Sequence, residues 1–186
     1  MTVKKLLLAV SIFLAPVVIV AQGRGVPPAE LLKPLVDSWP TYSGDYTGRR
    51  FSALALINRL TVKNLSLGWV SSVTPGPGGG GGRGGRGGGG GVIVGGLGTI
   101  DFPPGGGSGM KGTPLMVDGT LYVSTPDNAW ALDARDGREI WHYYWKTRGG
   151  THIANRGLGI WNGFLYMVTP DNYLVSLEAK TGRDTR

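Results

Sequence analysis

The C-terminal part of this chain is written twice, and that duplication limits the folds open to it more than any other feature. Asp118-Gly119-Thr120-Leu121-Tyr122-Val123-Ser124-Thr125-Pro126-Asp127-Asn128 lies over Asn162-Gly163-Phe164-Leu165-Tyr166-Met167-Val168-Thr169-Pro170-Asp171-Asn172 at an offset of 44 residues. Leu132-Asp133-Ala134-Arg135-Asp136-Gly137-Arg138 lies over Leu177-Glu178-Ala179-Lys180-Thr181-Gly182-Arg183 at an offset of 45. A period near 45, with short apolar runs separated by Asx-Gly or Xaa-Gly turns, is the signature of a β-propeller blade. Strands are expected over Leu115 to Val117, Leu121 to Ser124, Ala129 to Asp133 and Glu139 to Tyr144, then over Leu165 to Val168 and Tyr173 to Glu178. The turn pairs between them supply the positive φ or tight geometry that hairpins need, so each unit should be an antiparallel meander.

At roughly 45 residues a blade, 186 residues cannot build a whole ring and still hold the N-terminal segments. In the first unit Trp141 stands four residues past Gly137, and in the second Arg186 stands four past Gly182. A Trp packed between neighbouring sheets is worth about 3–5 kcal/mol, so the second unit reads as interrupted. The expectation is an all-β, partial propeller of about two to three blades with an irregular N-terminal segment. It should have open sheet edges and need further blades for closure.

Residues 1–21 carry the order of a secretory signal: Lys4-Lys5, an apolar run from Leu6 to Val20, then Ala21-Gln22-Gly23. The run is too short and interrupted for a stable membrane span of about 20 residues, so export to the periplasm or medium is expected. Residues 22–74 form the next segment, with a helical candidate from Ala29 to Val36 and apolar alternation at Leu65, Leu67 and Trp69 that reads as a first outer strand. The chain has no cysteine, which excludes disulfides, a thiolate nucleophile and cysteine-rich metal sites.

Residues 75–109 are dominated by glycine, a composition that cannot offset an ordering cost of about 1–2 kcal/mol per residue. This stretch is expected to be a disordered insertion, with Val92-Ile93-Val94 able to add a brief ordered patch. The two arginines of its Gly-Arg-Gly-Gly-Arg-Gly run do not make an RNA-binding segment in an exported protein, and the net charge of +7 is scattered, so no nucleic-acid partner is expected. Gly107-Ser108-Gly109-Met110-Lys111-Gly112 has the glycine spacing of a dinucleotide fingerprint, but a loop precedes it and a strand follows it. The fingerprint needs the reverse setting. Residues 110–186 then hold the repeats.

Several motifs together carry a resemblance: Trp39-Pro40-Thr41-Tyr42, Gly44-Asp45-Tyr46, Arg50-Phe51-Ser52, Ile57-Asn58, Thr113-Pro114-Leu115, Ala131-Leu132-Asp133-Ala134, Asn155-Arg156-Gly157 and Leu177-Glu178-Ala179-Lys180-Thr181-Gly182. In this combination the chain resembles the N-terminal part of the quinoprotein alcohol dehydrogenases. That resemblance implies a periplasmic eight-bladed propeller holding pyrroloquinoline quinone (PQQ) and calcium on its axis, oxidising alcohols and passing electrons to a cytochrome. It implies one quinone contact here, Arg156, whose planar fork of donors suits carboxylate and quinone oxygens. Two family features are replaced: a vicinal cysteine pair by Gly150-Thr151, and a glutamate by Lys111. The family's calcium ligands and catalytic aspartate fall past Arg186, so no catalytic or metal-ligating residue is assigned in this chain. His142 and His152 lack neighbouring ligands in the sequence and are expected to be structural. The expected function is that of an N-terminal fragment of an exported quinoprotein alcohol dehydrogenase, inactive alone; the alternative is a propeller scaffold or binding protein with an empty quinone site.

Overall fold

Both Asx-Gly pairs fold into two-residue hairpin turns with positive φ throughout: 50° and 73° at Asp118 and Gly119, 46° and 81° at Asn162 and Gly163. This geometry matches the right-handed twist of the flanking strands and fixes the hairpin register. The computed structural model describes residues 26–73, 92–98, 110–149 and 156–185. The expected signal, most of the glycine-rich stretch, His152, Gly150-Thr151 and Arg186 lie outside them.

Among the described residues the strands are β1 (Ile93–Gly95), β2 (Leu115–Val117), β3 (Thr120–Ser124), β4 (Asn128–Asp133), β5 (Glu139–Trp145), β6 (Gly159–Trp161), β7 (Phe164–Val168) and β8 (Leu174–Glu178). They form two sheets, β1-β5-β4-β3-β2 and β6-β7-β8. The four strands β2 to β5 are the expected antiparallel meander. Within the glycine-rich stretch, Ile93–Gly95 joins its outer edge as a parallel fifth strand, Ile93 opposite Tyr143 and Gly95 opposite Trp145. The sheets do not close on each other, as befits part of a propeller.

Strand alternation sends one face of each sheet toward the other. Leu115, Ala129, Ala131, Tyr143 and Trp145 from the first unit meet Leu165, Met167, Val175 and Leu177 from the second, all buried. Trp141 locks the pair. Its indole N–H donates to the Ala179 carbonyl at 2.9 Å, and its ring lies against Gly182, where an added Cβ would stand 2.6 Å from ring carbons. Gly182 has φ +70°, so the turn asks for glycine twice over, for its backbone and for its missing side chain.

The same lock recurs one unit earlier. Trp69 donates from Nε1 to the Ala134 carbonyl at 3.2 Å and lays its ring on Gly137, φ +71°. Ala134 and Gly137 are the repeat equivalents of Ala179 and Gly182, so Trp69 stands where a preceding unit would place its closing indole. From there Trp69, Ser71 and Val73 alternate toward the first unit while Val70 and Ser72 face outward. Val73 packs on the cluster of Val123, Trp130 and Leu132. The burial has strand period, yet the expected strand over Leu65 to Trp69 forms no ladder among the described residues. Only side chains reach the first unit, and a ladder needs a neighbouring backbone edge.

Upstream, the expected helix from Ala29 to Val36 shortens to one 3-10 turn, Pro28–Leu32. Pro34 disfavours helical geometry in the residue before it, and Lys33 is extended at φ −81°, ψ 154°. Trp39 then bridges the free edge of β2, exchanging backbone hydrogen bonds of 2.7 and 3.0 Å with Met116. In the second unit the fourth strand position is entered only at Asp184, opposite Leu177. Beside it an open groove of about 310 Å³ is lined by Trp145, Tyr173, Leu174, Val175, Ser176 and Thr185, along the β8 edge that corresponds to the part of β4 covered by β5.

Candidate functional site

Strand direction sorts the connections into two ends. The Asx-Gly hairpins and both tryptophan locks lie at one end. At the other lie the starts of β2 and β6, the Thr-Pro-Asp-Asn turns that follow β3 and β7, and the exit from β5. Lys111 and Arg156 therefore share this second end, one leading into each unit.

Backbone contact joins those two lead-ins. The Thr113 N–H donates to the Arg156 carbonyl at 3.3 Å. A Cβ on Gly112 would stand 2.5 Å from the backbone of Gly157, so only glycine lets the chains approach this closely. Lys111 and Arg156 are exposed on either side of this seam, and neither forms an ion pair among the described residues. The result is a corner with two cationic side chains at the loop end of the units. Among the described residues no group of three or more His, Cys, Asp or Glu side chains could hold a metal ion.

The chain arriving at Arg156 comes from β5, and its first foot is pinned on two sides. Lys146 exchanges backbone hydrogen bonds with the end of β1: its N–H donates to Gly95 at 2.9 Å and its carbonyl accepts from Gly98 at 3.0 Å. From the second unit Asp171 accepts three hydrogen bonds, from Trp145 Nε1 at 2.7 Å, the Arg148 N–H at 3.0 Å and the Thr169 hydroxyl at 2.7 Å. Burial alone would raise its pKa, but these donors together hold the carboxyl below the usual range. The repeat equivalent Asp127 takes a different path. It accepts from Asn128 Nδ2 at 2.7 Å, while its carbonyl takes the Trp145 N–H at 2.7 Å.

His142 is buried on the opposite face of the first sheet, stacked on Trp130 with ring centroids 4.8 Å apart. Its Nε2 lies 2.8 Å from Asn128 Oδ1. Asn128 Nδ2 already donates to Thr125 and Asp127, so Oδ1 is the acceptor and the histidine donates from Nε2. Burial pushes the His142 pKa down to about 4. This ring is a neutral packing group on the face of the first sheet turned away from the core shared with the second unit.

Comparison with known proteins decides what kind of ring these units belong to. The model of the PQQ β-propeller domain of glucose, ethanol and alcohol dehydrogenases matches residues 39–186. The chain belongs to this quinoprotein family. The dehydrogenase subunit of the quinone-dependent alcohol dehydrogenase of Gluconacetobacter polyoxogenes is 30% identical over 78% of this chain and 16% of its own length. The quinohemoprotein alcohol dehydrogenase of Comamonas testosteroni is 29% identical over 78% of this chain and 17% of that relative. Its crystal structure superposes with a TM-score of 0.55 and 27% identity, covering 81% of this chain and 19% of that one. A 1-butanol dehydrogenase (cytochrome c) of Thauera butanivorans is 26% identical over 78% of this chain and 18% of its own. The chain thus spans about a sixth of the length of these curated relatives.

Sequence reasoning singled out Arg156 and Lys111, and the fold brings their backbones together at one corner. It missed Asp171, although the residue sits in the repeated Thr-Pro-Asp-Asn turn. Repetition marks it as a turn residue and hides that its carboxylate reaches the neighbouring unit. Trp69 was legible as apolar but not as a lock. The signal was there in its relation to Gly137, which repeats the relation of Trp141 to Gly182.

Proposed function

We propose that this chain supplies the first blades of an exported quinoprotein alcohol dehydrogenase, including one side of its PQQ pocket, and does not oxidise alcohols by itself. The observation that carries the reading is the seam where Gly112 and Gly157 touch and Lys111 and Arg156 flank the contact. PQQ bears carboxylates and quinone oxygens, and the fork of Arg156 with the ammonium of Lys111 fits such an acceptor-rich group. When bound, the quinone accepts the electron pair lost by the alcohol. In this reading Arg156 binds and orients that group, Lys111 adds charge attraction, and the glycine seam keeps the corner open to it. Calcium, the catalytic base and the alcohol contacts belong to blades outside these residues, and a cytochrome receives the electrons.

Residues 1–21 serve as the export signal and 75–109 as an insertion between the N-terminal segment and the repeats. Among the described residues no helix is long and apolar enough to cross a membrane.

A second reading, a scaffold with an empty quinone site, draws support from Lys111, which reverses the charge the family resemblance implies at that place. Titration of the full-length protein with PQQ and calcium separates the two. The dehydrogenase reading expects saturable quinone binding that Arg156→Ala weakens by about tenfold or more, the worth of a charge-assisted hydrogen bond of about 1.5–3 kcal/mol. A folded full-length protein that takes up no quinone establishes the scaffold instead. Alcohol turnover by residues 22–186 alone would contradict the dependence on further blades.

A further inference from the structure

We infer that the outer edge of β5 is a strand-docking site that selects glycine, and that the hydroxyl end of Tyr143 is the group that does the selecting. Its ligand class is an extended peptide in which an aliphatic residue is followed, one residue later, by Gly-Gly-x-Gly. Residues 93–98 of the chain itself fill the site. The inference is independent of the quinone reading.

The main chain supplies the grip. Ile93, Val94 and Gly95 lie parallel to Tyr143, Tyr144 and Trp145, and the ladder runs on past both strands. The Lys146 N–H donates to the Gly95 carbonyl at 2.9 Å, and the Gly98 N–H donates to the Lys146 carbonyl at 3.0 Å. Most extended peptides can make such bonds, so selectivity rests on the side-chain positions. Ile93 packs on the core shared by the two units, whereas Val94 and Leu97 are exposed and their positions go unread. Gly95, on the same face as Ile93, is buried. A Cβ there would fall within 3.0 Å of Tyr143 Oη and Cζ, and one on Gly96 or Gly98 within 3.0 Å of the Lys146 or Thr147 carbonyl oxygen. Gly96 also has φ +83°. Glycine in a strand marks a place where another group approaches closely, and here three of four successive positions are marked in this way.

Tyr143 is not free to step aside. Its ring belongs to the buried core, and its hydroxyl donates to Asp184 Oδ2 at 3.3 Å. Asp184 in turn pairs with Leu177 of the second unit. The tyrosine therefore lies over Gly95, where a side chain would stand, on its way to the second unit. An aromatic ring laid over a cross-strand glycine fills the space that the glycine leaves. The docked strand and the contact of Tyr143 with Asp184 fit together only while position 95 has no side chain.

Amide hydrogen exchange in the full-length protein reads docking at the two ladder donors, Lys146 and Gly98. Gly95→Ala should quicken exchange at both by about tenfold or more, the scale of overpacking at a tight contact, whereas Val94→Ala should change it by less than about threefold. Removing the hydroxyl should return much of the loss, so Gly95→Ala should cost several-fold less in a Tyr143→Phe background than in the native one. Equal rates in Gly95→Ala and Val94→Ala, or a Gly95→Ala loss that is the same in both backgrounds, overturn the inference.

A full-length form in which serine and glycine replace residues 92–98 at equal length tests the site with its ligand supplied from outside. A peptide of residues 92–98 at millimolar concentration should restore protection at Lys146, and the same peptide carrying Gly95→Ala should act at least about tenfold more weakly. Failure of the native peptide to restore protection refutes the docking site, and equal action of the two peptides refutes its selection of glycine.

Discussion

Replacing Gly182 with alanine should cost the protein far more than the same change at Gly119, and the difference measures the tryptophan lock. Both glycines have positive φ, 70° and 73°, so both variants bear the backbone strain of an L-residue in that region, about 1–2 kcal/mol. Their surroundings differ completely. A Cβ at Gly119 meets nothing within 4 Å, whereas one at Gly182 lies 2.6 Å from Cδ2 and Cε3 of Trp141. Ordinary carbon contacts sit near 3.5–4.0 Å, so the indole must retreat by about 1 Å or the turn must move. Overpacking of this kind costs about 1–3 kcal/mol, and retreat of the ring also stretches the hydrogen bond to Ala179. Gly182→Ala should therefore lose about 2–5 kcal/mol in all, and its excess over Gly119→Ala should be about 1–3 kcal/mol. Urea unfolding of the full-length protein followed by tryptophan fluorescence gives both numbers from the midpoints and slopes. Equal losses in the two variants would show that the ring does not bear on Gly182, and the reading of Trp141 as the bolt between units would fail.

Acid should destabilise the protein through His142. The folded state holds it neutral with a pKa of about 4 against 6.5 in the free side chain, so below pH 6.5 the unfolded chain binds a proton that the folded one refuses. Stability is at its full value above pH 6.5 and falls by up to ~3 kcal/mol as pH drops to about 4. His142→Phe should flatten that slope in denaturant midpoints measured across this range. Trp69→Phe should cost about 1 kcal/mol, the worth of the indole hydrogen bond to Ala134, while Trp161→Phe on the partly exposed strand β6 should be close to neutral by the same assay.

The repeats were legible because each signal was local. Asp118-Gly119 and Asn162-Gly163 determine a turn from two residues, and the alternation on either side determines which face goes inward. Strand boundaries differ from expectation by one residue, as at Thr120 and Asn128, polar residues that begin their strands by pairing with Asp133 and Tyr144. What the sequence concealed depends on neighbours distant in the chain. Ile93–Gly95 lies within the glycine-rich stretch, and it becomes a strand because the outer edge of β5 accepts it in parallel. Leu65 and Leu67 alternate as a strand should, yet they stay exposed, while Trp69 and Val73 further along pack on the first unit. At the corner, Arg156 was legible from its motif. Its partner seam, Gly112 against Gly157, and the anchor at Asp171 arise from the way one unit sits on the next.

The two tryptophan locks have equivalent seats but unequal tethers. Trp69 and Trp141 are 72 residues apart, whereas the repeats themselves recur at 44 or 45. The longer interval includes the glycine-rich stretch, and still Trp69 reaches Gly137 as Trp141 reaches Gly182. Spacing around the ring is therefore measured by indole and glycine, not by contour length. Closing a longer chain segment costs little more than closing a short one, about 0.6 kcal/mol for each doubling of length. The boundary after Trp69 behaves as an expansion joint, a place where sequence can be gained or lost over evolutionary time while the pitch of the blades stays constant.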